Sequence, residues 1–579
     1  MTSPLTGDAG SVATETVEHI PSDCAGEDFH AADRGLRDLL AIYLAAAEAA
    51  TLTPHFARLG QLAGSRLDRL ARLADANPPV LHARDRFGRD EDWIEYHPAY
   101  REMEAIAFGD FQFHAMSHRA GVLGLGAPLS AVAKYAFQYL FVQAEFGLMC
   151  PISLTDTSIH LIRRFAGEQL KADLLPRMLS AKVSSLWKGS QFITERAGGS
   201  DIGAIETVAR CTGGTWRLHG DKWFCSHTDA DVALVLARPE GAARGTRGLA
   251  LFAMPRRLPD RRRNFYRIVR LKDKLGTRSM ASGEIRLEGA EAWLIGAADA
   301  GLRQMLEQVN LSRLSHGVRA AAMMRRCVNE ALAAARGRTA FGRRLVEFPL
   351  MRRQLLKLIV PTEQALSMAF ATADAMDRGA TSELRILTGL LKLRACRDNI
   401  AVATGAMEAR GGNGYIEEWV TARLIRDAQV GLLWEGTSNI NALDVIGRAV
   451  ARDGAHRALV GLLRSRLAQA ALPAAFRARL AEMLDRATQA AESAAANDAL
   501  ARTAAAALYN AASAVLLAWE GSRPGADARR LLLARCVLDH RLMPHDPLAP
   551  EEAAWERPIA ANLLGPRPVP LGDAMAMLA

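Results

Sequence analysis

A single acid sits in LLWEGTSNI (432–440): Glu435, preceded by Trp434 and followed by the small polar turn Gly436-Thr437-Ser438. An apolar neighbour strips water from a carboxylate, disfavours its charged form and lifts its pKa toward the range in which it can act as a base. The same placement suits a helix starting near Thr437, because a preceding carboxylate interacts favourably with the free N–H groups of a first turn. Taken alone, these residues leave both readings open.

Two further stretches, ITERAGGSDIGAIET (193–207) and HGDKWFCSHTD (219–229), combine glycines with hydroxyls. Such segments expose backbone N–H groups that can bind a planar heterocycle or an anion. GRTAFGRRL (337–345) and EARGGNGY (408–415) add arginines beside glycine turns. His114 and His118 are four apart, but FHAMSHRA lacks the glutamate of a zinc-binding HExxH helix, so a buried pair is expected and no metal. The seven cysteines are scattered without a CxxC pair, which argues against a disulfide framework or zinc knuckle.

The elements that position these groups follow from periodicity. Residues 35–184 repeat apolar positions every three or four, as in LRDLLAIYLAAAEAA, and read as helices broken by turns at ANPPV (76–80) and ARDRFGRDED (83–92). From 185 to 296 the period becomes two, in WRLHGDKWFCS, DVALVLARP and GEIRLEGAEAWLIG, which predicts a β domain. Helical spacing returns over 297–450 and continues through an alanine-rich added domain at 451–548. The expected fold class is therefore mainly α with a central β domain.

Residues 1–34 carry acids where a signal peptide needs a basic start, and are read as a flexible arm of a cytoplasmic protein. Residues 549–579, with Pro566, Pro568 and Pro570, are read as a loosely packed tail. TAAAALYNAASAVLLAW (503–519) is short for a membrane span and carries Asn510 and Ser513, so a buried helix is expected. The formal net charge is +9, with ten basic residues against two acids in 255–278. Such a strip binds nucleic acid or phosphate, or stays solvated.

The succession T-E-x-x-x-G-S-D, G-x-K-W, R-x-x-F-G, G-G-N-G-Y and E-G-T-S-x-I resembles the acyl-CoA dehydrogenase family over residues 100–450. The resemblance implies an α-helical domain, a β-barrel-like domain and a four-helix bundle with FAD at their junction, assembled as a tetramer built from two dimers. LADANPPV, HPAY (97–100), MCPISLTDT (149–157), LKDKLGTRS (271–279) and the added domain are similar to the alkylation-response branch. Its members are flavoproteins implicated in adaptation to DNA-alkylating agents and can bind double-stranded DNA. The alternative is a metabolic dehydrogenase of a short or branched acyl-CoA.

Carried onto this chain, the resemblance makes Glu435 the base that removes the α-proton of an acyl thioester, with hydride passing to FAD and Arg313 near the substrate. Thr194, Gly199, Ser200, Phe224, Cys225 and Ser226 would contact the flavin. Arg338, Phe341, Glu408, Gly411 and Gly412 match positions that hold the adenosine and pyrophosphate across a subunit interface. Trp434, Gly436, Thr437 and Asn439 surround the catalytic turn. The chain departs from the family at Ala340 and Glu408, where threonine and glutamine are frequent, and a negative Glu408 would repel pyrophosphate. Ser312 occupies a position where some members carry the base, and a serine cannot serve there. Arg529, Arg530, Arg535 and Arg541 are read either as a DNA-facing patch or as a solvated helix face.

Overall fold

The structure is a computed structural model describing residues 20–544, 548 and 556–578. Its N-terminal third is helical, with one antiparallel hairpin, Val80–Arg84 against Asp90–Glu95, whose tip lies in the expected ARDRFGRDED turn. Two of its helices matter for the site: α1 (Ala131–Val142) and α2 (Met149–Phe165). AVAKYAFQYLFV is apolar nearly all round, and α1 is accordingly buried on almost every side. The Ser130 hydroxyl accepts from Ala133 N, and Asp377 accepts from Ala131 N at 2.7 Å, so the first turn is capped twice.

The period-two region forms β1 (Gly189–Phe192), β2 (Val208–Thr212), β3 (Thr215–Ser226), β4 (Val232–Pro239), β5 (Ala250–Pro255), β6 (Tyr266–Leu271) and β7 (Ser282–Ile295). Pairing runs β4-β2-β3-β7-β5 and closes with an antiparallel β5–β4 ladder, while β1 adds parallel to β4 and β6 adds to β7. Closure removes the edges of the ring, and β4 and β5 are buried along almost their whole length. The basic strip at 255–278 is largely consumed in this domain. Arg263 pairs with Asp92, Arg262 with Asp260, and Arg270 and Lys272 share Glu284.

Three long helices then pack together: α3 (Gly301–Gly337), α4 (Pro349–Asp377) and α5 (Thr381–Arg410). The fourth position is broken. Val420–Ala428 ends before the Glu435 segment, and α6 (Ser438–Leu443) resumes beyond it. The added domain packs on the bundle through α7 (Ala501–Gly521), which is long and apolar enough to cross a membrane but whose Leu508, Tyr509, Val515 and Leu517 are buried inside the fold. It is followed by α8 (Arg529–Val537).

The reading of Arg529 and Arg530 as DNA-facing is overturned, because both are buried. Arg529 donates to Glu363 at 2.9 Å, and Arg530 spans Glu363 and Glu520 at 3.1 and 2.8 Å. Arg325 of α3 completes the cluster on Glu363 at 2.5 Å. Gly35 lets the N-terminal helix approach it, since a Cβ there would sit 2.7 Å from Glu363 Oε2. Arg535 is half-buried against Asp539 and the Met577 carbonyl, and only Arg541 of the four is exposed.

The two ends also differ from expectation. Residues 1–19 lie outside the described residues, but Cys24 and Phe29 are buried and Arg410 donates to the Pro21 and Ser22 carbonyls, so the later part of the arm is packed. The tail forms α9 (Glu556–Leu564) and α10 (Leu571–Leu578). Its prolines stop a helix without loosening the chain, since Val569 N donates to Asp527 and Ile559, Leu563 and Leu578 are buried.

Burial alone would raise the Glu363 carboxyl, but the charges of Arg529, Arg325 and Arg530 outweigh it and hold the group well below the usual carboxylate range. A depressed pKa contributes stability that is present above about pH 4.3, the unfolded value, and is lost as pH falls through the folded value. Glu363→Gln is therefore expected to cost about 3–5 kcal/mol in neutral denaturation experiments, a difference that shrinks in acid. Glu482→Gln, which breaks an exposed pair with Arg486, should change stability by less than about 0.5 kcal/mol.

Candidate active site

The Glu435 segment crosses the break in the fourth helix position with φ at +57° for Glu435 and +98° for Gly436. A side chain is uncommon in this left-handed region, and glycine beside it is required, since a Cβ at Gly436 would lie 3.2 Å from Asn441 Nδ2 and Ile440 Cγ2. Three donors hold the turn. Arg313 Nε on α3 donates to the Glu435 carbonyl at 3.2 Å, and Lys392 Nζ on α5 donates to the Gly431 and Gly436 carbonyls at 2.9 and 2.8 Å. Asn441 Nδ2 on α6 donates to the Gly436 and Thr437 carbonyls at 2.6 and 2.9 Å.

The cap reading of Glu435 does not hold: Thr437 is the residue before α6, and the Glu435 carboxylate turns away to accept from Ser312 Oγ at 2.8 Å. Burial raises its pKa above the ordinary carboxylate value. The Ser312 hydrogen bond and the charges of Arg313, Lys392 and Arg319 pull the other way without cancelling it. The Glu435 N–H has no hydrogen-bond partner among the described residues, which leaves a donor next to the carboxylate. Trp434 is half-buried with its ring edge-on to His316, centroids 5.6 Å apart. Thr437 and Asn439 are exposed on the outer side of the turn.

Arg313 is corrected from substrate contact to support. Its guanidinium is committed to Asp444 at 2.7 Å and to the Glu435 carbonyl, and it is buried. Ser312, set aside as a base, proves to be the hydroxyl that donates to the Glu435 carboxylate. Residues missed from the sequence include Lys392, Asn441, His316 and Arg319. Ser312, His316 and Arg319 stand on one face of α3 at spacings of four and three, and a polar stripe in an alanine-rich helix is a signal that could have found them.

On the β-domain side, strand alternation places Phe224 and Ser226 on one face of β3 and Cys225 on the other. Phe224 is 56% exposed, an aromatic face without an apolar cover, with Lys272 Nζ 5.1 Å from its centroid. Ser226 Oγ lies 3.4 Å from Ser282 Oγ. Cys225 is fully buried, so the expectation that its side chain touches a cofactor is corrected: β alternation turns it inward. Thr194 lies half-buried in the loop after β1, and Gly199 and Ser200 are exposed in the same loop. Open glycine backbone, a hydroxyl and an uncovered aromatic ring fit a flavin ring, and the buried Cys150 thiol beside Ser226 feels the charges of Arg319 and Glu435.

The second set of cofactor residues is elsewhere. Arg338 ends α3, and its Nη1 comes within 3.7 Å of where a Gly411 Cβ would stand. Phe341 tips a short hairpin at φ +50° and is 95% exposed, and Glu408, Gly411 and Gly412 are exposed beside it. Glu408 accepts from Gln354 Nε2 at 3.1 Å. From Ser312 to Arg338 the helix rises about 39 Å, so the two sets do not converge on one point. His114 and His118 are buried with different partners, the Ser180 carbonyl and Asp156.

Three domain families match the chain: the adaptive response protein AidB N-terminal domain over residues 20–183, the acyl-CoA dehydrogenase middle domain over 190–290 and the acyl-CoA dehydrogenase C-terminal domain over 299–451. The putative acyl-CoA dehydrogenase AidB of Escherichia coli is 35% identical over 405 residues, covering 67% of this chain and 73% of that protein. Acyl-CoA dehydrogenase family member 11 of Caenorhabditis elegans is 31% identical over 437 residues, covering 72% and 69%. The crystal structure of Caenorhabditis elegans ACDH-11 in complex with C11-CoA superposes with a TM-score of 0.85 at 25% identity, covering 94% of this chain and 96% of that one. The apo form of Bd2924 superposes with a TM-score of 0.77 at 30% identity, covering 86% and 99%. The chain therefore belongs to the acyl-CoA dehydrogenase family, FAD-dependent oxidoreductases, and carries an AidB-type N-terminal domain.

Proposed function

We propose that this chain dehydrogenates a short acyl-CoA, with Glu435 as the base that takes the α-proton. The observation that carries this reading is the strained, clamped Glu435 with its raised carboxyl pKa and its unpartnered N–H. When bound, FAD supplies the acceptor for the β-hydrogen and its electron pair, leaving a trans-2-enoyl thioester. The chain's own part is to hold the carboxylate by Ser312, to offer the Glu435 N–H to the thioester carbonyl, and to keep water from the proton being moved. Phe224, Ser226, Thr194, Gly199 and Ser200 would hold the flavin ring. A complex with C11-CoA in the Caenorhabditis elegans neighbour supports a CoA thioester as the substrate class.

The separation of the Arg338 and Phe341 set from Glu435 supports paired copies, each offering its exposed edge to the adenosine end of the other's dinucleotide, within a homotetramer. A second reading, an alkylation-response role with DNA binding, is favoured by the AidB-type domain over 20–183. It loses Arg529 and Arg530 as contacts, so any DNA surface must use other cations, Arg541 among them.

Glu435→Gln is expected to keep FAD bound and to abolish anaerobic bleaching by every acyl-CoA in a short-chain panel, since an amide cannot accept the proton. Reduction at the wild-type rate by that variant would place the base elsewhere. Flavin reduction by the wild type should rise with pH through the Glu435 pKa. Ser312→Ala removes a bond that favours the charged form, so its profile should move to higher pH. For the second reading, duplex affinity measured across a salt series should fall steeply with salt and show little sequence preference; a flat response rules it out.

A further inference from the structure

Strand β3 changes face where it passes the flavin-ring residues. Lys222 pairs with Ile285 and Cys225 with Gly283, so Trp223 and Phe224 together stand opposite the single residue Glu284 of β7. Two residues against one make a β-bulge, which re-aims the side chains around it and frees a backbone group from the ladder. By simple alternation Lys222 would share the face of Phe224 and Ser226. The bulge turns it inward instead: Lys222 is 1% exposed and Cys225 is fully buried, while Phe224 is left open.

What Lys222 meets inside is the loop after β1. Its Nζ donates to Glu195 Oε1 at 2.6 Å and to the Ile193 carbonyl at 3.4 Å, and a third bond of 2.8 Å goes to the Leu236 carbonyl of β4. The Trp223 N–H, released by the bulge, donates to the Thr194 carbonyl at 2.8 Å. Three consecutive residues of the loop are therefore held by two consecutive residues of the strand. Glu195 in turn gathers the far end of the loop, accepting from Glu206 N at 2.6 Å and from the N–H and hydroxyl of Thr207. Burial raises the Glu195 carboxyl, but the Lys222 charge and these hydrogen bonds outweigh it and hold the group below the ordinary carboxylate value. From outside, Arg196 lies over the Trp223 ring at 5.1 Å, so the loop is gripped on both sides.

A buried ion pair often adds little net stability over apolar groups of the same volume, because desolvation offsets the attraction. Here it joins the two segments that make the ring's surface. We propose that Lys222 and Glu195, aimed at each other by the bulge, are positioning residues of the flavin site: they dock the loop bearing Thr194, Gly199 and Ser200 beside Phe224 and Ser226. This rests on those five residues holding the ring. Both side chains are buried, so they act through the backbone that they hold.

The test uses full-length protein stripped of FAD and titrated with it, following flavin fluorescence and the visible absorption bands. Lys222→Met strands the Glu195 charge and should weaken FAD binding by roughly tenfold or more and alter the shape of the bound flavin's bands. It should also lower the melting temperature, so the deciding variant combines Lys222→Met with Glu195→Gln, which leaves no unpaired charge and should melt near the wild type. That double variant should still bind FAD roughly tenfold more weakly and still show altered bands, because the Ile193 and Leu236 carbonyls have lost their donor. Wild-type affinity and spectrum in the double variant overturn the inference. So does melting of its FAD-free form far below the FAD-free wild type, which makes the pair a support of the whole β domain. Arg210→Gln, which breaks an exposed pair with Glu240 in the same domain, should change neither affinity nor spectrum. A wild type that takes up no FAD fails earlier, at the assignment of the ring's surface, and this inference falls with it.

Discussion

The site depends on a backbone held where a side-chain-bearing residue seldom goes. Glu435 at φ +57° costs on the order of 1–3 kcal/mol, and it persists because donors from three helices fix the carbonyls around it. Arg313 comes from α3, Lys392 from α5 and Asn441 from α6, so the carboxylate is located by the packing of the whole bundle and not by its own loop. Buried carbonyls need donors, and here two of the three, Arg313 and Lys392, are themselves charged. The same cations lower the carboxyl pKa while burial raises it. Position and proton affinity are thus set by one group of residues, and altering the clamp alters both.

That coupling explains what could be read along the chain and what could not. The E-G-T-S motif, the period-two stretch and the helical stretches on either side were legible because each is a local property of neighbouring residues. The closing β5–β4 ladder and the parallel β1–β4 pair were not, since no local pattern records which strand meets which. The direction of Cys225 was available from alternation along β3 but was subordinated to the motif containing it. Ser312 was judged by what it could not do as a base, whereas its structural partner lies 123 residues away.

The misplaced arginines have a similar cause. RRLLLAR in α8 has cations on an otherwise apolar helix, and sequence spacing cannot distinguish a face turned to water from one turned to a buried acid. What decides it is Glu363, 166 residues earlier on α4. The proline-marked tail was read as open because proline ends helices, yet apolar residues on both sides of the break retain the spacing needed to pack. Each error took a residue type's usual setting for its actual one.

Charge also has to be reinterpreted as an interior quantity. Alanine-rich helices bring little apolar area to their interfaces, and in this chain much of the specificity between helices comes from shared acids. Glu330 joins Arg326 and Arg410, and through Arg410 the segment at Pro21 and Ser22; Glu363 joins α3, α4 and α8. Removing one acid strands two or three cations, which is why such layers fix register more firmly than alanine contacts can. Because each such pair removes one cation and one anion, the formal net charge of +9 is carried by groups outside these pairs. A basic isoelectric point argues for a polyanionic partner only through cations at the surface, and Arg529 and Arg530, held inside by Glu363 and Glu520, are not among them.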